Sequence, residues 1–340
     1  MNNVEARNVR GNAMIVVASK AMPFSPAHWQ MLERSLMPHA LRIVDFTDAE
    51  LAREALDAAT IALVEFDADH RFRDAPLLKW VHCDKSGLDG SLSSGILEAG
   101  KQITGSAGRS APALAEHAMM FSLMLCSDYP RFFRAQMRGE WVGKSQSRAV
   151  CALFGRTMGI IGLGHTGAVL ADYATAFGMN VLAYKRSATT KPSSVDHLYC
   201  RDNGDSIEPL LRQSDIVVLA IGLNDATRHL IGAEQFGMMS AQSFIVNMSR
   251  GEVIDQDALI DALETGKIAG AAIDVTTPEP LPSGHRLWST RNLLITPHTT
   301  ASVPDRAERT LSIFLENFDR FCANRPLLNA ATREDVFTLN

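Results

Sequence analysis

Three glycines have the spacing of a phosphate-binding turn. Gly162, Gly164 and Gly167 follow a short apolar stretch and precede a helical pattern that begins at residue 168. The first glycine permits a tight turn, the second lets the backbone approach a pyrophosphate, and the third lets helix and strand pack closely. The helix N-terminus then presents free N–H groups to the phosphates. The pattern predicts a dinucleotide site, which also includes the residues between the last two glycines, His165 and Thr166.

The end of the next predicted strand bears on which dinucleotide would bind. After Asn180–Tyr184 come two cations and a hydroxyl, Lys185, Arg186 and Ser187. An NAD-binding unit usually has Asp or Glu at this point, bonded to the ribose 2′-hydroxyl. Here no acid repels a 2′-phosphate, and the cations can bind one. The stretch predicts NADP(H) as the preferred cofactor with NAD(H) possible; a solvated basic turn in an NAD enzyme is the alternative.

Composition narrows the class of protein. The chain has 340 residues, enough for about two domains, and an apolar fraction of 46%. Its 33 lysines and arginines against 38 acids give a net charge of −5, which offers no basic field for nucleic acid. Five widely spaced cysteines without a C-x-x-C pair favour reduced thiols in a cytoplasmic protein. The histidines lack metal-ligand spacing, so no metal site is predicted. The apolar stretch around residues 111–126 contains Glu116 and His117, which favours a buried helix over a membrane span.

Apolar strands alternate with helical patterns along the chain. Strands are predicted over residues 14–18, 41–44, 61–64, 79–83 and 102–104, and later over 180–184, 215–220, 243–247, 270–275 and 292–296. One long helix is predicted from Pro112 to Arg138, with Ser110 as its N-cap, and a final helix from Arg306 to Ala323. Fully apolar strands between helices are typical of parallel sheets covered on both faces.

These elements predict an α/β protein with two doubly wound parallel-sheet domains. A Rossmann cofactor domain over residues 112–307 is inserted into a flavodoxin-like substrate-binding domain formed by residues 1–111 and 308–340.

Several ordered motifs resemble the D-isomer-specific 2-hydroxyacid dehydrogenase family, and among its members the glyoxylate and hydroxypyruvate reductases. The resemblance covers about residues 80–321 and is strongest over 155–301. The segments that carry it are Gly155–Gly164, Asn247–Asp255, Ala271–Val275 and Thr296–His298. The resemblance implies an enzyme that interconverts a small 2-keto acid and its 2-hydroxy acid.

Reducing a 2-keto acid requires a cation, a proton donor and a group that keeps the donor charged. Arg250 suits the first role because its planar fork stays charged, and the family places its substrate arginine in this motif. His298 suits the second role because histidine both gives and takes protons near neutral pH and an apolar strand ends just before it. Glu279 suits the third, lying five residues after Asp274 as in the family, although Thr276–Pro278 departs from the family pattern. A loop carboxylate without a catalytic role is the alternative for Glu279.

The resemblance assigns further residues. Asp274 resembles the family's contact on the nicotinamide side, with a loop cap as the alternative. Ser86, Gly87 and Leu88 resemble the loop whose backbone N–H groups hold the substrate carboxylate, and a plain turn explains them nearly as well. The long helix from Pro112 resembles the family's dimer arm and implies a homodimer.

The sequence therefore predicts an NADPH-dependent reductase that converts a small 2-keto acid to the D-2-hydroxy acid, with no nucleic acid or membrane partner. Two alternatives stay open. One is a dinucleotide-sensing protein similar to the corepressors that resemble this family, and the other is a dehydrogenase of a different small anion, such as formate or phosphite. Glu279 argues against a formate enzyme, since such enzymes resemble a pattern with Gln at this place.

Overall fold

The computed structural model describes residues 13–143, 151–187, 190–300 and 303–337, which form two compact units. The first unit contains the described residues up to Arg109 together with Asp305–Glu334, and the second contains Ser110–Pro304 together with the described residues from Asp335 onward. Both units are parallel-sheet α/β structures, so the predicted fold class is confirmed.

The first unit is built on a five-stranded sheet with the strand order β2-β1-β3-β4-β5, all parallel. Its elements before residue 109 are β1 (Ile15–Ser19), α1 (Pro26–Leu36), β2 (Ala40–Val44), α2 (Ala49–Ala58), β3 (Ile61–Val64), α3 (His70–Asp74), β4 (Trp80–Cys83), α4 (Asp89–Leu92) and β5 (Gln102–Gly105). The strand order with its reversal at β1 and β3 is that of a flavodoxin-like sheet.

The second unit is built on a seven-stranded parallel sheet with the order β12-β11-β10-β9-β6-β7-β8. Its elements are α5 (Ala111–Cys126), α6 (Tyr129–Met137), β6 (Thr157–Ile161), α7 (His165–Ala176), β7 (Asn180–Lys185), β8 (His197–Cys200), α8 (Glu208–Gln213), β9 (Ile216–Leu219), α9 (Ala233–Met238), β10 (Phe244–Asn247), α10 (Gln256–Glu264), β11 (Gly270–Ile273) and β12 (Leu293–Ile295). The chain leaves β6 on one side for β7 and later continues on its other side with β9. Ligands of open α/β sheets bind at such a switch point.

The last helix, α11 (Arg306–Cys322), belongs to the first unit and completes its core. Phe314 and Phe318 of this helix are buried against the strands, and the Phe314 ring stacks on Trp80 with 5.2 Å between the ring centroids. Side chains cap two helices of this unit: Asp48 accepts hydrogen bonds from the backbone N–H groups of Glu50 and Leu51 at the start of α2, and Ser25 caps α1.

The prediction of one long helix from Pro112 to Arg138 is wrong, because the chain forms two helices there. Helix α5 ends at Cys126, and Asp128 has a φ of 53°, in the left-handed region. Pro130, in the first turn of α6, has no N–H to donate to the Cys126 carbonyl, so one continuous helix would lose that hydrogen bond. Ser110 is the N-cap residue of α5, as predicted, but its side chain makes no capping hydrogen bond to the helix.

Three observations concern a membrane span, a metal site and the state of the cysteines. Within the described ranges, no helix has the length and apolar character needed to cross a bilayer. Among the same residues, no group of three or more His, Cys, Asp or Glu side chains has the arrangement of a metal site. All five cysteines are free thiols.

Candidate functional site

The three glycines of the turn between β6 and α7 differ in what surrounds them. Gly162 has a φ of +106°, and a Cβ there would lie 2.3 Å from the carbonyl oxygen of Ala220. A Cβ on Gly167 would lie 2.1 Å from the carbonyl oxygen of Gly162. A Cβ on Gly164 would meet no atom within 4 Å. Packing therefore requires the outer two glycines, whereas the middle one faces open space into which a phosphate can come close to the backbone.

The N-terminus of α7 follows directly on this open space. Gly164 is the N-cap, and no side chain caps the helix. The N–H groups of the first turn have no acceptor within the helix, and the helix dipole adds a partial positive charge there. His165 and Thr166 occupy the first two helical positions, so the helix begins three residues before the predicted start. The described residues thus fit the pyrophosphate of a dinucleotide.

The predicted 2′-phosphate residues lie at the end of β7. Lys185 is the last residue of the strand, and Arg186 and Ser187 follow it. The Arg186 backbone is held firmly, because its carbonyl accepts hydrogen bonds from the N–H of Asp202 (3.0 Å) and from the Cys200 thiol (3.2 Å). Its guanidinium Nη1 lies 3.1 Å from the Oδ1 of Asp335, a residue near the end of the chain. No pattern in the sequence predicts this ion pair.

His298 and Glu279 form a direct pair. His298 follows β12, and its Nδ1 lies 2.8 Å from the Oε2 of Glu279. The other carboxylate oxygen of Glu279 accepts a hydrogen bond from the backbone N–H of Thr276 at 2.9 Å, which fixes the orientation of the carboxylate. Both side chains are partly exposed, 46% for His298 and 38% for Glu279. The Nε2 of His298 has no hydrogen-bond partner among the residues that the structure describes.

Arg250 lies in the loop after β10, two strands from β12 in the sheet. Asn247 organises this loop: its Oδ1 accepts hydrogen bonds from the N–H and hydroxyl of Ser249, and its Nδ2 donates to the Arg250 carbonyl at 2.9 Å. A Cβ on Gly251 would lie 2.3 Å from the carbonyl carbon of Thr276. The glycine therefore permits close contact between the arginine loop and the loop that carries Glu279.

A partly buried network that the sequence did not predict supports the His298 loop. His117 on α5 lies 3.2 Å from the hydroxyl of Thr296 and 2.6 Å from that of Thr300, through its two ring nitrogens. Burial lowers the pKa of His117, and the nearby charge of Asp274 opposes this effect. The two threonines lie on either side of His298. The only signal in the sequence was a histidine within an apolar helical stretch.

Asp274 belongs to the same network. Its Oδ1 accepts hydrogen bonds from the Thr296 hydroxyl (2.5 Å) and the Thr299 N–H (3.1 Å), and its Oδ2 accepts one from the Thr300 N–H (3.3 Å). The Asp274 carbonyl accepts the N–H of His298 at 2.7 Å. Only 2% of the residue is exposed. The structure thus shows Asp274 holding the His298 loop, and its predicted contact with the nicotinamide stays a prediction.

Ser86, Gly87 and Leu88 belong to the first unit, in the loop between β4 and α4, whereas Arg250, Glu279 and His298 belong to the second. The start of that loop is anchored by Asp84, which is fully buried. Asp84 pairs with Arg109, accepts a hydrogen bond from Arg306 at 3.1 Å and another from the Thr310 hydroxyl at 2.7 Å. Burial lowers the pKa of Arg109.

The glycine turn, the open helix N-terminus and a histidine–carboxylate pair at the carboxyl edge of a parallel sheet together define a dinucleotide-dependent oxidoreductase class. Comparison with known proteins agrees. A family model described as D-isomer specific 2-hydroxyacid dehydrogenase, NAD binding domain, matches residues 119–300. The chain belongs to the D-isomer-specific 2-hydroxyacid dehydrogenase family, as its motifs predicted.

Individual relatives show how far the similarity extends. The hydroxypyruvate reductase of Thermotoga maritima is 32% identical over 67% of this chain and 72% of its own length. The glyoxylate reductase of Aeropyrum pernix is 35% identical, and the match covers 54% of each chain. The chain thus spans about half the length of several curated relatives that it matches. A 2-hydroxyacid dehydrogenase structure from Xanthobacter autotrophicus Py2, in complex with NADPH and MES, has a TM-score of 0.79 at 27% identity and covers 94% of this chain and 98% of its own.

Proposed function

We propose that the protein reduces a small 2-keto acid to the D-2-hydroxy acid and prefers NADPH. The observation that carries this proposal is the His298–Glu279 pair, 2.8 Å apart, at the edge of the sheet where the Arg250 loop also lies. Relatives named glyoxylate reductase and hydroxypyruvate reductase support a small substrate. Glyoxylate and hydroxypyruvate are therefore the first substrates to test.

The chain's own residues have distinct roles in this reaction. Arg250 binds the substrate carboxylate or carbonyl oxygen, since its guanidinium stays charged and donates in a planar fork. His298 donates a proton from Nε2 to the substrate oxygen, because Nδ1 is engaged by Glu279. Glu279 orients the imidazole and stabilises its protonated form, and the Thr276 N–H holds the carboxylate in place. In the oxidative direction, His298 accepts the proton instead.

The cofactor residues follow from the turn described above. The backbone at Gly162, Gly164 and Gly167 and the first turn of α7, with His165 and Thr166, would hold the pyrophosphate. The 2′-phosphate would be held by Lys185, Arg186 and Ser187, and Asp274 would lie on the nicotinamide side. When bound, NADPH supplies the hydride for the reduction. NADPH is bound in the Xanthobacter autotrophicus Py2 structure, which is 27% identical to this chain, and this supports the preference.

In this proposal, the first unit binds the substrate. Residues 1–111 and 308–340 form the substrate-binding domain, residues 112–307 form the cofactor domain, and the backbone N–H groups of Ser86, Gly87 and Leu88 hold the substrate carboxylate. Neutral amides suit this task because they bind an anion without a charged side chain.

We further propose a homodimer in the cytoplasm. Large apolar side chains are exposed on α5 and α6 and just beyond them, at Met120, Leu123, Phe133, Met137 and Trp141. Exposed apolar surface of this extent is typical of an interface between protein chains. Free thiols at all five cysteines are consistent with a reducing compartment.

The test is a comparison of NADPH and NADH oxidation with glyoxylate, hydroxypyruvate, pyruvate and a bulkier aromatic keto acid. NADPH-favoured turnover that is lost in His298→Ala supports both the cofactor and the proton-donor assignments. Better turnover with NADH contradicts the NADPH preference and leaves the proton-donor role intact. Tight cofactor binding without turnover of any acid contradicts the reductase and favours the dinucleotide-sensing alternative.

A further inference from the structure

The Arg186 guanidinium already has an anionic partner within the protein. Its Nη1 lies 3.1 Å from a carboxylate oxygen of Asp335, and the two side chains are 38% and 34% exposed. The residues are 149 positions apart in the sequence, and both belong to the second unit. A carboxylate and a phosphate monoester are both bound by a guanidinium through charge-assisted hydrogen bonds, so they are alternative partners for one arginine.

The segment that carries Asp335 is anchored to the cofactor unit. Phe337, two residues further along, is 9% exposed and packs in the apolar cluster that contains Leu223, Ile231 and Val253. The guanidinium of Arg228 lies 5.9 Å from the centroid of the Phe337 ring. A buried aromatic residue thus fixes the position of the acidic residue, and the ion pair does not depend on one exposed contact alone.

The Asp335 carboxylate contacts the residue that directly follows β7. NAD-binding Rossmann units place an acid at the end of the second strand, which here is β7, and this chain has Lys185 and Arg186 there instead. The C-terminal segment brings an acid from a distant part of the sequence into contact with one of these two cations, Arg186. Asp335 therefore offsets part of the Arg186 charge when no 2′-phosphate is bound, and a 2′-phosphate that takes Nη1 must displace the carboxylate.

We propose that Asp335 is a specificity-determining residue that competes with the 2′-phosphate of NADP(H) for Arg186. It lowers the affinity for NADP(H) and leaves that for NAD(H) unchanged, because NAD(H) has no group that must replace the carboxylate. The inference rests on the proposed role of Arg186 in cofactor binding. It adds that the C-terminal segment sets how strongly the protein distinguishes the two dinucleotides.

The experiment measures the Kd of NADPH and of NADH by quenching of tryptophan fluorescence in the full chain, for the wild type, Asp335→Asn and Arg186→Ala. Asp335→Asn is expected to lower the Kd of NADPH about two- to fivefold, the factor that corresponds to an exposed ion pair. The Kd of NADH should stay unchanged. In the double variant Arg186→Ala with Asp335→Asn, the gain in NADPH affinity should disappear, because the competition requires the arginine.

Asp202→Asn is the matched control. Asp202 pairs with Arg201 through its side chain and donates its backbone N–H to the Arg186 carbonyl. The variant removes the same charge nearby without freeing the guanidinium, so its effect on NADPH should be smaller than that of Asp335→Asn.

The outcomes separate the inference from the proposed function. If Arg186→Ala weakens NADPH selectively but Asp335→Asn matches the control, Asp335 does not compete and the NADPH assignment stands. If Arg186→Ala affects both dinucleotides alike, the role of Arg186 and the competition both fail. If Asp335→Asn weakens NADH, then Asp335 binds the ribose hydroxyl and the inference is overturned.

Discussion

Alanine at two glycines of the same turn should produce opposite effects. In Gly162→Ala, the new Cβ would lie 2.3 Å from the Ala220 carbonyl oxygen at a φ of +106°. The backbone strain is about 1–2 kcal/mol and the forced displacement of packed neighbours about 1–3 kcal/mol, so the free energy of unfolding should fall by roughly 2–5 kcal/mol. In Gly164→Ala, the Cβ meets no atom within 4 Å, and the free energy of unfolding should change by less than about 1 kcal/mol.

Gly164→Ala changes stability little, but we expect it to impair dinucleotide binding by the folded protein. The Gly164 Cβ enters the space through which a pyrophosphate approaches α7, so we expect Gly164→Ala to weaken NADPH binding about tenfold or more, at a cost of roughly 1.4 kcal/mol per factor of ten. Urea unfolding followed by circular dichroism gives the stabilities, and NADPH titration under native conditions gives the Kd. A Gly164→Ala protein that binds NADPH like the wild type, or is as unstable as Gly162→Ala, would refute this account of the turn.

Three further predictions concern the catalytic pair, the buried histidine and the exposed helices. His298→Ala should lower kcat by about 10²–10⁴, the range for loss of a general acid, and Glu279→Gln should lower it less; equal kcat values in steady-state assays with the wild type would contradict both roles. Burial lowers the pKa of His82 from 6.5 to about 4, so the unfolded chain binds this proton more tightly. The free energy of unfolding should therefore fall by up to about 3 kcal/mol as the pH drops from above 6.5 toward 4, and urea titrations should show a shallower fall in His82→Gln. Phe133→Glu with Met137→Glu should convert the proposed dimer to a monomer in sedimentation experiments, and a wild type that is already monomeric would contradict the dimer.

Local signals in the sequence were sufficient to predict most strands and helices of the fold. Buried strands such as Ile61–Val64 and Phe244–Asn247 are continuous apolar runs, and Asp48 and Asp255 mark helix starts by bonding the backbone two and three residues on. The edge strand β8 (His197–Cys200) was not predicted, because it is short and half-exposed and lacks an apolar run. The break at Asp128 was missed because the pattern of apolar residues continues across it, and the left-handed φ is visible only in the structure.

Some features of the candidate site could likewise be predicted from the sequence, and others could not. The glycine turn could be predicted because its three functions fall within six consecutive residues, each following from local geometry. His117 and Asp335 could not, since their partners lie 179 and 149 positions away, and only the folded chain brings them together. The pairing of His298 with Glu279 was reached through family motifs, because a separation of 19 positions matches no regular helix or strand spacing.

The buried carboxylate of Asp84 constrains the order in which the newly synthesised chain can fold. Its partners Arg306 and Thr310 follow it by 222 and 226 residues, so they leave the ribosome only after residues 110–304 of the cofactor unit have been translated. Phe314, whose ring stacks on Trp80, is translated later still, after Thr310. During translation, residues 13–109 must therefore persist as an incomplete sheet with an uncovered apolar face and an incomplete ion-pair network while residues 110–304 are synthesised. Chaperone contacts on the nascent chain are expected on this N-terminal sheet and should be lost once α11 emerges.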